Sequence, residues 1–209
     1  GVDPMKIAYE NYIVQLLSRL CDLILLQAAF LVTSLPILTV GAGITALFAV
    51  SRKMREDSVT SPIKEYFLQF RRNFKTSTML WIAVGILAGV AYADAWYCSM
   101  GTSTLAVVGQ ILSYMLMIAV FLVFAYCFPQ AAWFGNSVSR YLRNSLPLAL
   151  AHPIVTILVV LLYVCAFIAA EVARPLFFLF GFSGVVYFTS RLFESVFFPD
   201  ERMKNRKNR

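Results

Sequence analysis

Apolar residues fill this chain in long runs, and short polar stretches separate them. From Leu25 to Val50 the sequence LLQAAFLVTSLPILTVGAGITALFAV carries no formal charge. That run exceeds the roughly 20 residues that one helical crossing of a bilayer needs. Pro36 interrupts it, and Gly41 and Gly43 follow closely. The pattern predicts two membrane helices joined by a very tight turn, over about residues 13–35 and 39–54. Further apolar runs predict spans over about residues 76–97, 105–128, 148–170 and 175–198. The expected fold is an all-α polytopic membrane bundle of six transmembrane helices, one membrane domain over residues 5–200. Its runner-up has five spans, with Ile13 to Val50 as one long helix kinked at Pro36. Gly1 to Pro4 precede Met5 and read as a tag remnant, and residues 201–209 read as a basic cytoplasmic tail.

Two polar stretches carry a second pattern. After Ser61-Pro62, a helix-starting pair, Ile63, Tyr66, Phe67, Phe70 and Phe74 recur at helical spacing, with charges opposite. This predicts a short interfacial amphipathic helix from Pro62 to Phe74 on the cytoplasmic membrane face. Its exposed surface would be a partner or lipid contact, carried by Phe67, Phe70, Arg71 and Arg72. Ser137 to Leu146 repeats the design with Val138, Tyr141 and Leu142 against Arg140 and Arg143. A faint internal repeat is also present: Arg72-Asn73 and Arg143-Asn144 open two spans, and Phe128-Pro129 and Phe198-Pro199 close two.

The charge balance sets the orientation. The net charge is +7, and only 14% of residues are charged against roughly 25% in soluble domains. Basic residues beside apolar spans point to positive-inside topology and anionic headgroups, not to nucleic acid. With six spans and both termini in the cytoplasm, only Arg174 of the 18 Lys and Arg residues falls outside. The expected location is therefore a membrane whose basic side faces the cytoplasm, with the lipid bilayer as first partner.

Candidate chemistry is sparse. Gly41, Gly43 and Ala46 form a G-x-G-x-x-A string that imitates a dinucleotide fingerprint, but no strand precedes it. Small residues that let helices approach closely account for it better. Cys21, Cys98, Cys127 and Cys165 lie in or beside apolar runs without metal-ligand spacing. His152 is the single histidine and precedes Pro153. Arg19 with Asp22 and Arg191 with Glu194 stand at i, i+3 on helix faces, and Asp94 sits in an aromatic belt of Tyr92, Trp96 and Tyr97. No nucleophile elbow, Walker loop, metal string or paired carboxylates are found, so catalytic, cofactor and metal sites are expected to be none. A transporter or channel would need a polar path, for which Gln27, Gln110, Thr156 and His152 are the candidates.

Leu35-Pro36-Ile37, Thr39 with Gly41, Ala46-Leu47 and the string F-R-R-N-F-K from Phe70 to Lys75 carry a family likeness. On these residues the chain resembles the YesL-like family of bacterial integral membrane proteins, a family of unknown function. By gene context, members look like companions of carbohydrate ABC importers. The resemblance implies the bacterial cytoplasmic (inner) membrane as location. It implies a non-enzymatic accessory or interaction partner of such an importer, contacting its permease subunits, and it implies no catalytic residues. A small transporter or channel is the alternative.

Overall fold

The computed structural model describes residues 4–56, 58–101 and 103–198, and every regular element among them is helical. Two expectations lie outside these residues: the tag remnant, apart from Pro4, and the basic tail. The elements in order are α1 (Pro4–Thr33), a single 3-10 turn (Ile37–Thr39), α2 (Val40–Arg55), α3 (Pro62–Ser99) and α4 (Thr104–Trp133). They continue with α5 (Val138–Ala151), α6 (Pro153–Val172), α7 (Arg174–Leu176), a π turn (Phe177–Gly181) and α8 (Phe182–Phe197). Four segments among the described residues are long and apolar enough to cross a membrane: Ile37–Arg55, Pro62–Ser99, Thr104–Trp133 and Pro153–Val172.

The break at Pro36 is a reversal of the chain, not a kink. A side chain added at Gly43 would meet the Phe30 ring at 2.9 Å and Ser34 Oγ at 3.2 Å. In a continuous helix Gly43 would lie about 20 Å along the axis from Phe30 and about 14 Å from Ser34. The two arms also meet the same residue far from the turn, because Arg19 Nη1 donates to Tyr187 Oη at 3.0 Å and Arg55 Nη1 to the Tyr187 carbonyl at 3.0 Å. The Thr33 hydroxyl satisfies the Ala29 carbonyl at 2.9 Å, and Thr39 Oγ1 bonds the Pro36 carbonyl at 2.7 Å. Thr39 Oγ1 also lies 2.5 Å from the Thr33 carbonyl, which has no helical N–H partner once the chain turns.

α2 is the centre of the bundle. Residues from Gly41 to Ser51, and Met54, are buried. α1, α3, α4 and α8 surround it. Phe48 lies edge-on to Trp133 of α4 and to Phe193 of α8, with ring centroids 6.4 and 6.2 Å apart. α6 is the opposite case: it is the most apolar helix, Val159 is its one buried residue, and α8 is its chief neighbour. An apolar helix exposed along nearly its whole length is a lipid-facing helix.

Three of the boundaries that differ from the sequence expectation have a plain physical reason. The amphipathic segment Pro62 to Phe74 is not a separate interfacial helix but the start of the 38-residue α3. No Pro or Gly stands at the junction near Lys75, and the buried stripe runs on through Tyr66, Gln69, Ser77, Leu80 and Val84. At 1.5 Å per residue α3 is about 57 Å long, against a hydrocarbon core of about 30 Å, so its charged first turns project beyond the core. α4 does not stop at Pro129 but continues to Trp133. Residues from Ala125 to Ala131 are all buried, and that packing outweighs the donor lost at proline. The expected span over residues 148–170 is broken at His152, whose φ of −123° and ψ of 65° leave the helical region. Pro153 enforces this on its predecessor and opens α6 at its first position.

Candidate functional site

The small residues of α2 are used inside the chain. A Cβ at Gly41 would stand 2.6 Å from the Ser77 carbonyl oxygen and 2.6 Å from Trp81 Cβ of α3, and 3.1 Å from the Phe128 ring of α4. Gly43 is closed by α1, and Ala46 is fully buried. All three therefore permit close approach between α2 and its own neighbours, and none faces outward.

Where α2 ends, its cations are held by distant helices. Arg55 forks onto the Glu194 carboxylate of α8, and its Nη2 donates to Ser190 Oγ at 2.5 Å. Its guanidinium also lies 5.1 Å from the Tyr187 ring centroid. Arg52 bonds Glu56 at 2.8 Å and stands 3.8 Å over the Phe198 ring. Lys53 Nζ donates to Glu65 Oε1 at 2.6 Å, and Gln69 Nε2 donates to the same oxygen at 2.7 Å. Gln69 and Lys53 together hold the Glu65 carboxyl below the usual carboxylate range. This belt pins the charged ends of α2, α3 and α8 together. Sequence reasoning missed it, because Arg55 and Glu194 are 139 positions apart and no local spacing announces them.

The polar residues named for a transport path are not brought together. Gln27 is buried and accepts from the Ser183 backbone N–H at 2.9 Å. Thr156 Oγ1 lies 2.7 Å from Tyr126 Oη and bonds the Ala149 carbonyl at 2.7 Å, which closes the elbow between α5 and α6. Gln110 reaches Tyr114 at 3.2 Å, and His152 is exposed at that elbow. Asp94 is exposed and accepts from Ser113 Oγ at 2.6 Å. Gln27, Thr156 and Asp94 are each bonded to a different neighbouring element, and Gln110 bonds within α4. Among the described residues, no three His, Cys, Asp or Glu side chains gather as metal ligands would.

The residues expected to carry a partner or lipid surface lie on α3. Phe67 is 43% exposed, and Arg71 and Arg72 are exposed beside it. Phe70 differs, because it is half-buried and stacks on Tyr66 with centroids 6.2 Å apart at 25°. Farther along α3, a cleft of about 280 Å³ opens between α3 and α4, lined by Trp81, Val84, Gly85 and Ala88 and by Met117, Val120, Phe121 and Phe124. Its walls are apolar, and Gly85 has no atom within 4 Å of where a Cβ would stand.

Residues 23–95 match the model of a family described as a protein of unknown function, DUF624. The match runs from the middle of α1 through the hairpin to the outer part of α3, and it agrees with the family resemblance carried by Leu35 to Lys75. No curated protein and no solved structure matches the chain.

Proposed function

Taking this chain as one that carries the DUF624 segment, we propose that it is a non-enzymatic integral membrane protein whose task is to bind another membrane protein. The family resemblance names the partner as the permease subunits of a bacterial carbohydrate ABC importer, in the cytoplasmic membrane with both termini inside. The observation that carries this reading is the division of the surface. Inside the bundle the polar side chains at Gln27, Thr156 and Arg55 are committed to holding helices together. Outside, α3 presents Phe67, Arg71, Arg72 and an open apolar cleft. A reaction centre or a solute path needs convergent polar groups in a cavity, whereas a helix-binding surface needs shape and apolar area.

The test is purification from the native host in mild detergent at natural expression. Permease subunits should co-elute, and Phe67→Glu should lose them while remaining folded. Phe67 is the informative position, because the half-buried Phe70 also serves the core. A clean monomer whose liposomes pass solute unaided would replace this reading with a small transporter or channel.

A further inference from the structure

We propose that the α1–α2 hairpin is re-entrant: it enters the bilayer from the side of the charged belt, turns back inside it, and lays its apex, Leu35-Pro36-Ile37-Leu38, against acyl chains. This goes beyond the partner reading above and does not depend on it. Both arms are short between their charges. α2 carries none from Val40 to Ser51, and α1 carries none from Leu23 to Thr33. At 1.5 Å per residue these stretches are about 18 and 16 Å long, against a hydrocarbon core of about 30 Å. Ile37–Arg55 is long and apolar enough to cross, but Arg52, Lys53 and Arg55 occupy its last turn. Lys53 and Arg55 are fixed there by Glu65 and Glu194, and Arg19 of α1 reaches the same Tyr187 as Arg55. The charged ends of the two arms therefore stand together on one side.

α3 measures how deep the apex lies. Thr33 Oγ1 is 2.7 Å from Tyr66 Oη, and a Cβ at Gly41 would meet Ser77 and Trp81. Tyr66 precedes Lys75, the last cation of α3, and Trp81 follows it by only about 9 Å of helix. The far end of α3 carries the exposed aromatics Tyr92, Trp96 and Tyr97, an interface belt. Tyr97 is about 24 Å beyond Trp81. The 3-10 turn and its flanking residues raise the apex about 10 Å beyond Gly41, which leaves it about 14 Å short of Tyr97. Six successive residues of α3 in that gap, Gly85 to Val90, are exposed, so no hairpin arm packs over them. The apex itself suits lipid. Leu35, Ile37 and Leu38 are 80, 75 and 59% exposed. Pro36 brings no N–H, and the Thr33 and Thr39 hydroxyls take up the Ala29, Thr33 and Pro36 carbonyls. Four apex residues are far fewer than the roughly 20–30 a side that a stable protein interface uses, so acyl chains are the occupant.

Single cysteines at Leu35, Ile37 and Leu38 in a cysteine-free full chain test this, with the exposed Met100 at the far turn and Ser58 beside the belt as aqueous references. In intact cells an impermeant maleimide should modify Met100→Cys and leave the apex positions at less than about a tenth of that rate, because a thiolate does not form in hydrocarbon. A membrane-permeant maleimide should add Ser58→Cys and still not the apex. Denaturing detergent should make all of them react. In liposomes, a bimane fluorophore on Ile37→Cys should be quenched by spin-labelled phosphatidylcholine and not by aqueous iodide, with Leu38→Cys as a second carrier. Apex labelling by the impermeant reagent would mean a crossing hairpin, and labelling by the permeant reagent alone would mean an apex in water on the belt side; either overturns the proposal. Apex-to-apex cross-links between two copies, without quenching by lipid, would overturn it as well.

Discussion

Replacing Gly41 by leucine should drive α2 and α3 apart. The first added carbon would lie 2.6 Å from the Ser77 carbonyl oxygen and 2.6 Å from Trp81 Cβ, with the Phe128 ring 3.1 Å away on the third side. Carbon contacts settle at about 3.5–4.0 Å, so α3 must retreat by about 1 Å. The first two obstacles belong to the α3 backbone and to a Cβ, and neither can rotate aside. Overpacking of this kind costs about 1–3 kcal/mol. For alanine, the better helix propensity returns about 1 kcal/mol, so Gly41→Ala should lose about 0–2 kcal/mol. Leucine adds three further carbons to the same gap and should reach at least the upper end, about 3 kcal/mol. In a chain of this size that corresponds to a fall in melting temperature of about 6–12 °C. The assay is size-exclusion recovery after heating, in one detergent, with Gly85→Leu alongside. The expected order is wild type with Gly85→Leu, then Gly41→Ala, then Gly41→Leu. A Gly41→Leu protein that melts with the wild type would refute the close approach of α2 and α3.

The belt around α2 gives further expectations. Glu194→Ala leaves the half-buried Arg55 without its carboxylate and should cost about 1–3 kcal/mol, with Glu194→Gln costing less; denaturation midpoints in detergent measure both. Glu65 has a depressed pKa, so its contribution is complete above the ordinary carboxylate range and is lost as the pH falls through the depressed value. The stability difference between wild type and Glu65→Gln should therefore be widest at neutral pH and close in acid, and a gap that widens in acid would contradict the Lys53–Glu65–Gln69 geometry. Single cysteines at Ser58 and Asn208 in a cysteine-free background should react only with membrane-permeant reagents, and labelling by an impermeant reagent in intact cells would reverse the proposed orientation.

The hairpin was legible because Pro36 and the glycines after it are strong local signals, and the helical class followed from the apolar runs. The small-residue string was also legible as a packing device, although the helices it packs against lie 36 and 87 positions further along, at Ser77 and Phe128. What sequence could not show was decided by tertiary packing. Pro129 reads as a stop, yet α4 passes it because every residue from Ala125 to Ala131 is buried. A charged amphipathic stretch and an apolar span read as two elements, yet α3 joins them because no breaking residue intervenes. Arg55 and Glu194 carried no spacing that could pair them. The cleft depends on which faces of α3 and α4 part around Gly85, and that is a property of the assembled bundle.

Sugar uptake in the native host tests the central claim most directly. A strain lacking this chain should take up the importer's carbohydrate more slowly. The wild-type chain should restore uptake, and Phe67→Glu, present at equal level in the membrane, should not. Uptake that is unchanged by the deletion, or restored equally by Phe67→Glu, would contradict the account.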